Sequence, residues 1–246
     1  MAKKIIIGNW KMNPRTEKEA IKLAKASDFR DVVLCVPFIF LSAVKKVLKR
    51  AKLGAEDVAW GDVGAMTGEI SAGMLYNLGV KYVILGHSER RALNESNLDV
   101  NKKIKAALAS GLVPILCVGE SVRDESHSYF NLVKTQLEEC LDGVKKTSIA
   151  KIIVAYEPVW AISTTANRKD ATPADSLEMS IFIRKILSDK FGSDAGKTRI
   201  IYGGSANEKD AREFLENGGV DGLLPGRASL DPKKFAEIIK IAEKIS

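Results

Sequence analysis

Three side chains of different chemistry stand just past short apolar runs. Lys11 follows Ile5-Ile6-Ile7, His87 follows Tyr82-Val83-Ile84-Leu85, and Glu157 follows Ile152-Ile153-Val154-Ala155-Tyr156. Together they form a proton-transfer set. A carboxylate at Glu157 can remove a proton from carbon beside a carbonyl, while a neutral imidazole and an ammonium polarise the carbonyl oxygen. Pro158 fixes its own φ and drives Glu157 towards extended backbone. His87 precedes Ser88-Glu89-Arg90-Arg91, where a serine cap and an early glutamate predict a helix start. A helix N-terminus opposes the imidazolium form, so His87 is expected to be a neutral hydrogen-bond donor. Two glycine-bearing turns, Tyr202-Gly203-Gly204-Ser205 and Pro225-Gly226-Arg227-Ala228-Ser229, could cradle a phosphate on backbone N–H groups. Taken singly, these residues read as a solvated lysine, a structural histidine, a strand-end carboxylate and glycines serving turn geometry. The combination is what carries specificity.

Such a set needs a scaffold that brings remote parts of the chain to one rim. Apolar runs predict strands at Lys4–Trp10, Asp31–Val36, Glu56–Trp60, Tyr82–Leu85, Val113–Val118, Lys151–Tyr156, Arg199–Tyr202 and Val220–Leu224. Helical spacing between them predicts helices including Glu17–Ala26, Leu41–Leu53, Leu98–Ser110, Phe130–Leu141, Ala174–Phe191, Glu208–Asn217 and Pro232–Ile245. Strict alternation without a linker predicts a parallel sheet closed into one (β/α)8 barrel, a single α/β catalytic domain over residues 1–246. An open doubly wound sheet would bring a glycine-rich dinucleotide turn after the first strand, and Gly8-Asn9-Trp10-Lys11 is not one. In barrels the chemistry sits at the C-terminal strand ends. Asn9, Lys11, His87, Glu157 and both turns all fall there.

Composition narrows the function classes. Hydrophobic residues at 46% and charged residues at 28% describe an ordinary globular chain rather than a disordered one. The net charge of +7 suits acidic ligands, yet Lys and Arg are interspersed with Asp and Glu, which predicts a solvated surface. No basic run interleaves with aromatics, so nucleic acid is not an expected partner. No apolar run approaches the ~20 residues of a membrane span and no signal peptide follows Met1, so no membrane partner is expected either. Three cysteines without metal spacing predict reduced thiols in a cytoplasm, and two histidines are too few for a His-rich metal centre.

Three segments carry a family resemblance: Gly8-Asn9-Trp10-Lys11-Met12-Asn13, Gly86-His87-Ser88-Glu89-Arg90-Arg91 and Tyr156-Glu157-Pro158-Val159-Trp160. They resemble the signature segments of triosephosphate isomerase. Ala65-Met66-Thr67-Gly68-Glu69-Ile70-Ser71, Ile115-Leu116-Cys117-Val118-Gly119-Glu120 and the Tyr202 turn extend the match from first strand to last. The resemblance implies interconversion of dihydroxyacetone phosphate and glyceraldehyde 3-phosphate, without cofactor or metal. It implies Glu157 as base, His87 as electrophile, Asn9 and Lys11 as substrate ligands, and Ser205 with the turn around Gly226 about the phosphate. The N–H groups of Ser163 and Arg227 are expected to join them even though both positions depart from the family pattern. It also implies a homodimer, with the loop bearing Thr67 set beside the partner's site.

Three features depart from the family pattern. The lid, usually Ala-Ile-Gly-Thr-Gly-Lys, reads Ala161-Ile162-Ser163-Thr164-Thr165-Ala166, and the span to Pro173 is about three residues longer than usual, which a surface loop tolerates. In the last turn Pro225 brings no N–H, and Arg227 adds a cation. The arginine usual after the fifth strand gives way to Glu125. A barrel that binds phosphorylated metabolites, or isomerises them slowly, is the competing expectation.

Overall fold

The computed structural model describes residues 3–162 and 170–245. Strands β1 (Ile5–Asn9), β2 (Val32–Val36), β3 (Lys52–Ala55), β4 (Tyr82–Leu85), β5 (Val113–Val118), β6 (Ile153–Tyr156), β7 (Arg199–Tyr202) and β8 (Gly222–Leu223) pair in chain order and close as a parallel barrel. Closure comes where Ile5 and Ile6 meet Gly222 and Leu223. Glycine is required at that seam, because a Cβ on Gly222 would lie 2.0 Å from the Ile5 carbonyl oxygen.

The strands are apolar on both faces because both faces are covered. Ile5, Ile7, Val33, Ile84, Ile115 and Ile201 fill the interior, while Ile6, Leu34, Leu85, Leu116 and Val154 turn outwards into a second apolar layer. That layer packs under α1 (Glu17–Ala26), α2 (Leu41–Val47), α3 (Ala72–Leu78), α4 (Ser88–Arg91), α5 (Asn97–Ala109), α6 (Tyr129–Cys140), α7 (Pro173–Phe191), α8 (Ala211–Asn217) and α9 (Pro232–Ile245). Each fully buried aliphatic side chain contributes about 1.5–3 kcal/mol. Local signals set several helix starts. Thr16 with Glu19 and Thr172 with Asp175 form reciprocal capping boxes, and Pro173 takes the first turn of α7.

The third strand differs from expectation. It is Lys52–Ala55, so Glu56–Trp60 is the segment that follows it, apart from one bridge between Ala59 and Ser71. The helix expected over Leu41–Leu53 ends at Val47. The cause is non-local: the Asp28 carboxylate accepts the backbone N–H groups of Lys49, Arg50 and Ala51 at 3.0, 2.8 and 2.7 Å, drawing them out of helix. Helix α3 lacks an expected counterpart, and α8 begins at Ala211 rather than Glu208.

Candidate active site

Asn9 ends β1, and its side-chain oxygen accepts the Lys11 N–H at 3.1 Å. This turn holds Lys11 at φ 54, a left-handed conformation that a non-glycine residue adopts only when its surroundings impose it. The Lys11 ammonium then reaches Glu89 at 2.5 Å. It also lies beside Gly226, where a Cβ would come 3.3 Å from Lys11 Cε.

His87, not Ser88, caps α4. Its Nδ1 accepts the Glu89 N–H at 3.2 Å, so Nδ1 carries the lone pair and the ring proton of the neutral tautomer sits on Nε2. Arg91 fastens this short helix to the barrel by donating to Gly86 O at 2.7 Å, Asn97 Oδ1 at 2.5 Å and Cys117 O at 3.3 Å.

Glu157 is buried at the end of β6, and its Oε2 accepts the Ser88 N–H at 3.1 Å. Its Oε1 lies 3.2 Å from His87 Nε2, yet off the line a hydrogen bond requires, so it has no hydrogen-bond partner among the described residues. Two glycines admit this carboxylate by close approach. A Cβ on Gly119 would lie 1.8 Å from the Glu157 carbonyl oxygen, and one on Gly203 would lie 2.9 Å from Glu157 Cγ. Beneath, burial and then the Glu157 charge push the Cys117 thiol well above its ordinary range. It is no nucleophile.

A cavity of about 420 Å³ opens at this end of the barrel, and Asn9, Lys11, His87, Ser205, Gly226 and Arg227 line it. Glu157 does not. It lines an adjoining cleft with Ser88 and Gly119. Gly204 also lines the main cavity, and its N–H, like those of Gly226 and Arg227, has no acceptor among the described residues. Gly203 and Gly204 serve packing rather than a positive φ, since a Cβ on Gly204 would meet Tyr202 Oη at 2.2 Å. Pro225 gives no N–H but its carbonyl accepts the Asn9 N–H at 3.0 Å, joining the last turn to the first. The Arg227 side chain is exposed and makes no hydrogen bond or ion pair to a described residue. Thr67 stands apart on an exposed loop, and Ser163 lies outside the described residues.

Two neighbouring groups escaped the sequence reading. Glu56 follows β3 directly, facing Lys11 and Glu89. Burial first, and Glu89 in addition, push its carboxyl up to about 8, against the pull of the Lys11 backbone hydrogen bond and charge. Its position was hidden by the misplaced third strand. Arg123, two residues before Glu125, donates to Glu120 at 3.1 Å, Asp175 at 2.8 Å and Glu178 at 2.9 Å. Glu120 also accepts from Trp160 Nε1 at 2.8 Å, so this cluster ties the end of β6 to the start of α7.

A closed (β/α)8 barrel with a carboxylate, an imidazole and an ammonium converging at the C-terminal rim is the framework of a barrel enzyme that moves protons. The family model for triosephosphate isomerase matches residues 4–242. The triosephosphate isomerase of Aquifex aeolicus is 43% identical over 96% of this chain and 98% of its own length. That of Dictyoglomus thermophilum is 44% identical over 98% of this chain and 100% of its own. The solved triosephosphate isomerase of Bartonella henselae superimposes with a TM-score of 0.87 at 36% identity, over 98% of this chain and 100% of that one. The chain belongs to the triosephosphate isomerase family, and it is an isomerase.

Proposed function

We propose that the protein interconverts dihydroxyacetone phosphate and glyceraldehyde 3-phosphate as a single catalytic domain. The buried Glu157 carboxylate carries this reading, because one of its oxygens is unoccupied 3.2 Å from a histidine nitrogen that bears its proton. The substrate carbonyl sits against His87 Nε2–H and the Lys11 ammonium, and Glu157 leaves the Ser88 N–H to take a proton from the adjacent carbon. The electrons left behind move onto the carbonyl oxygen as an enediolate, which His87 and Lys11 stabilise. Glu157 returns the proton to the former carbonyl carbon, while the hydroxyl proton of the first carbon passes to the other oxygen by way of His87 Nε2. The first carbon so becomes the aldehyde and the former carbonyl oxygen a hydroxyl. The phosphate rests on the N–H groups of Gly204, Gly226 and Arg227, with Ser205 and Asn9 beside it. A coupled assay with glyceraldehyde 3-phosphate tests the reaction; binding without turnover would make the protein a phosphate-metabolite binder instead.

The longer lid without glycines belongs to the same proposal. It lowers the efficiency of closure and so releases some enediolate as methylglyoxal and phosphate. Steady-state kinetics in both directions, with methylglyoxal assayed alongside, checks this. Turnover at the diffusional ceiling of about 10⁸–10⁹ M⁻¹s⁻¹ with no methylglyoxal would refute it.

We also propose a homodimer. The loop bearing Thr67 is exposed, with Val63 at 90% and nearby Met66 turned to water, and Met12 is 96% exposed. Side chains of this kind are normally covered by a partner. Sedimentation velocity at micromolar concentration would show two copies. No helix of the described residues is long and apolar enough to cross a membrane.

A further inference from the structure

Cations gather at the N-terminal ends of the strands, opposite the rim just described. Lys3 and Lys4 precede β1, Arg30 lies two residues before β2, Lys52 opens β3 and Lys81 precedes β4. Lys151 lies two residues before β6, Lys197 lies two before β7 and Arg199 opens it. At this end a second cavity of about 420 Å³ is cut into the barrel floor. Its floor includes Ile5, Tyr82, Val113 and Ile153, the lowest side chains of the inner core. Arg199 belongs to the same layer, since it stands two residues before the inward-facing Ile201 on one strand.

An arginine in this layer is unexpected, because the barrel interior above it is apolar. The cavity wall holds Lys151, Lys197 and Arg199 and no carboxylate. None of the three side chains makes a hydrogen bond or ion pair to a described residue. Elsewhere the chain supplies counter-ions readily, as for Arg123 with Asp175 or Arg184 with Asp221 at 2.9 Å. Three like charges in a concavity with low-dielectric walls raise a positive potential that concentrates anions. Tyr82 adds a neutral donor: burial holds its phenol above the ordinary value, although the Arg199 charge works against this.

We propose that the floor cavity binds a small organic anion, whose phosphate, sulfate or carboxylate head meets Lys151, Lys197 and Arg199 while its apolar body lies on Val113, Ile152 and Ile153. The planar guanidinium gives such a head two parallel donors, and the two lysines add charge. The opposed structural role for Arg199 is a stem that plugs the floor with its head in water. The apolar variant Arg199→Met separates the two roles, because it retains the plug and loses the anion.

The experiment is calorimetric titration of the full chain with 1-naphthyl phosphate, alongside inorganic phosphate and heparin. The expected result is one naphthyl phosphate per chain, bound at least tenfold more tightly than inorganic phosphate. Arg199→Met and the double variant Lys151→Ala, Lys197→Ala should each weaken it tenfold or more. The double variant replaces exposed side chains without partners, so it reports even if Arg199→Met fails to fold, and its isomerase turnover should match that of the parent. Saturating dihydroxyacetone phosphate, which fills the proposed substrate site, should leave naphthyl phosphate binding unchanged and so keeps the two sites apart. No binding, binding displaced by dihydroxyacetone phosphate but kept in the floor variants, or binding of heparin alone would each overturn the proposal.

Discussion

Replacing Glu56 by glutamine makes a pH-dependent stability difference whose sign and size follow from burial. In the folded protein the carboxyl is pushed from 4.5 to about 8, chiefly because water is removed from around it. One of its oxygens is buried without a hydrogen-bond partner among the described residues. The unfolded chain releases this proton near the ordinary carboxylate value of about 4.3. Between that pH and about 8 the folded state therefore holds a proton that the unfolded state has lost, and stability falls as pH rises. The contribution is fully present below pH ~4.5 and lost by pH ~8. That span of about 3.5 pH units corresponds to about 5 kcal/mol at about 1.36 kcal/mol per unit. Water at the exposed edge of the side chain screens part of it, leaving about 2–4 kcal/mol. Glu56→Gln keeps the shape and cannot ionise. Thermal unfolding of both proteins should coincide near pH 5 and diverge steadily to pH 8.5, where the glutamine variant melts higher by on the order of 5–10 °C. A gap that does not change with pH would refute the argument, since a packing effect has no titration.

Glu157→Gln should keep substrate binding while lowering kcat by about 10²–10⁴-fold, and steady-state kinetics with a separate binding titration would show whether the two effects part. The ¹⁵N spectrum of His87 at neutral pH should show a protonated Nε2 and an unprotonated Nδ1; a doubly protonated ring would contradict the cap hydrogen bond from Glu89. Gly119→Ala should lower stability by about 1–3 kcal/mol and displace Glu157, because its Cβ would enter the Glu157 carbonyl at 1.8 Å. A variant melting and turning over like the parent would mean that the two loops do not meet this way. Lys103→Met should destabilise by about 3–5 kcal/mol, since it strips the buried Asp57, held at 2.7 Å, of an ion partner. Denaturant unfolding measures it.

The rim was legible in the sequence wherever a short pattern determines the outcome. An apolar run followed by a polar residue sets where a strand ends, and Asn9, Lys11, His87 and Glu157 all sit at such ends. The capping boxes at Thr16 and Thr172 are equally local, since both partners lie within one turn. What escaped depends on contacts between distant residues. Glu56 was hidden because Asp28 shortens a helix more than a dozen positions away in sequence, which moves the third strand forward and leaves Glu56 at its end. The cations likewise read as a solvated surface, because only barrel closure gathers Lys151, Lys197 and Arg199 in one concavity. Side-chain direction is the third kind of gap. The spacing of residues placed Glu157 opposite His87, but not the Ser88 N–H that holds it. That bond has a consequence for turnover. A carboxylate accepting a backbone N–H at a helix start is held there, so on the proposed mechanism Glu157 must exchange this donor for the substrate proton in each cycle. The unoccupied Oε1, already beside the His87 proton, is the oxygen placed to begin that exchange.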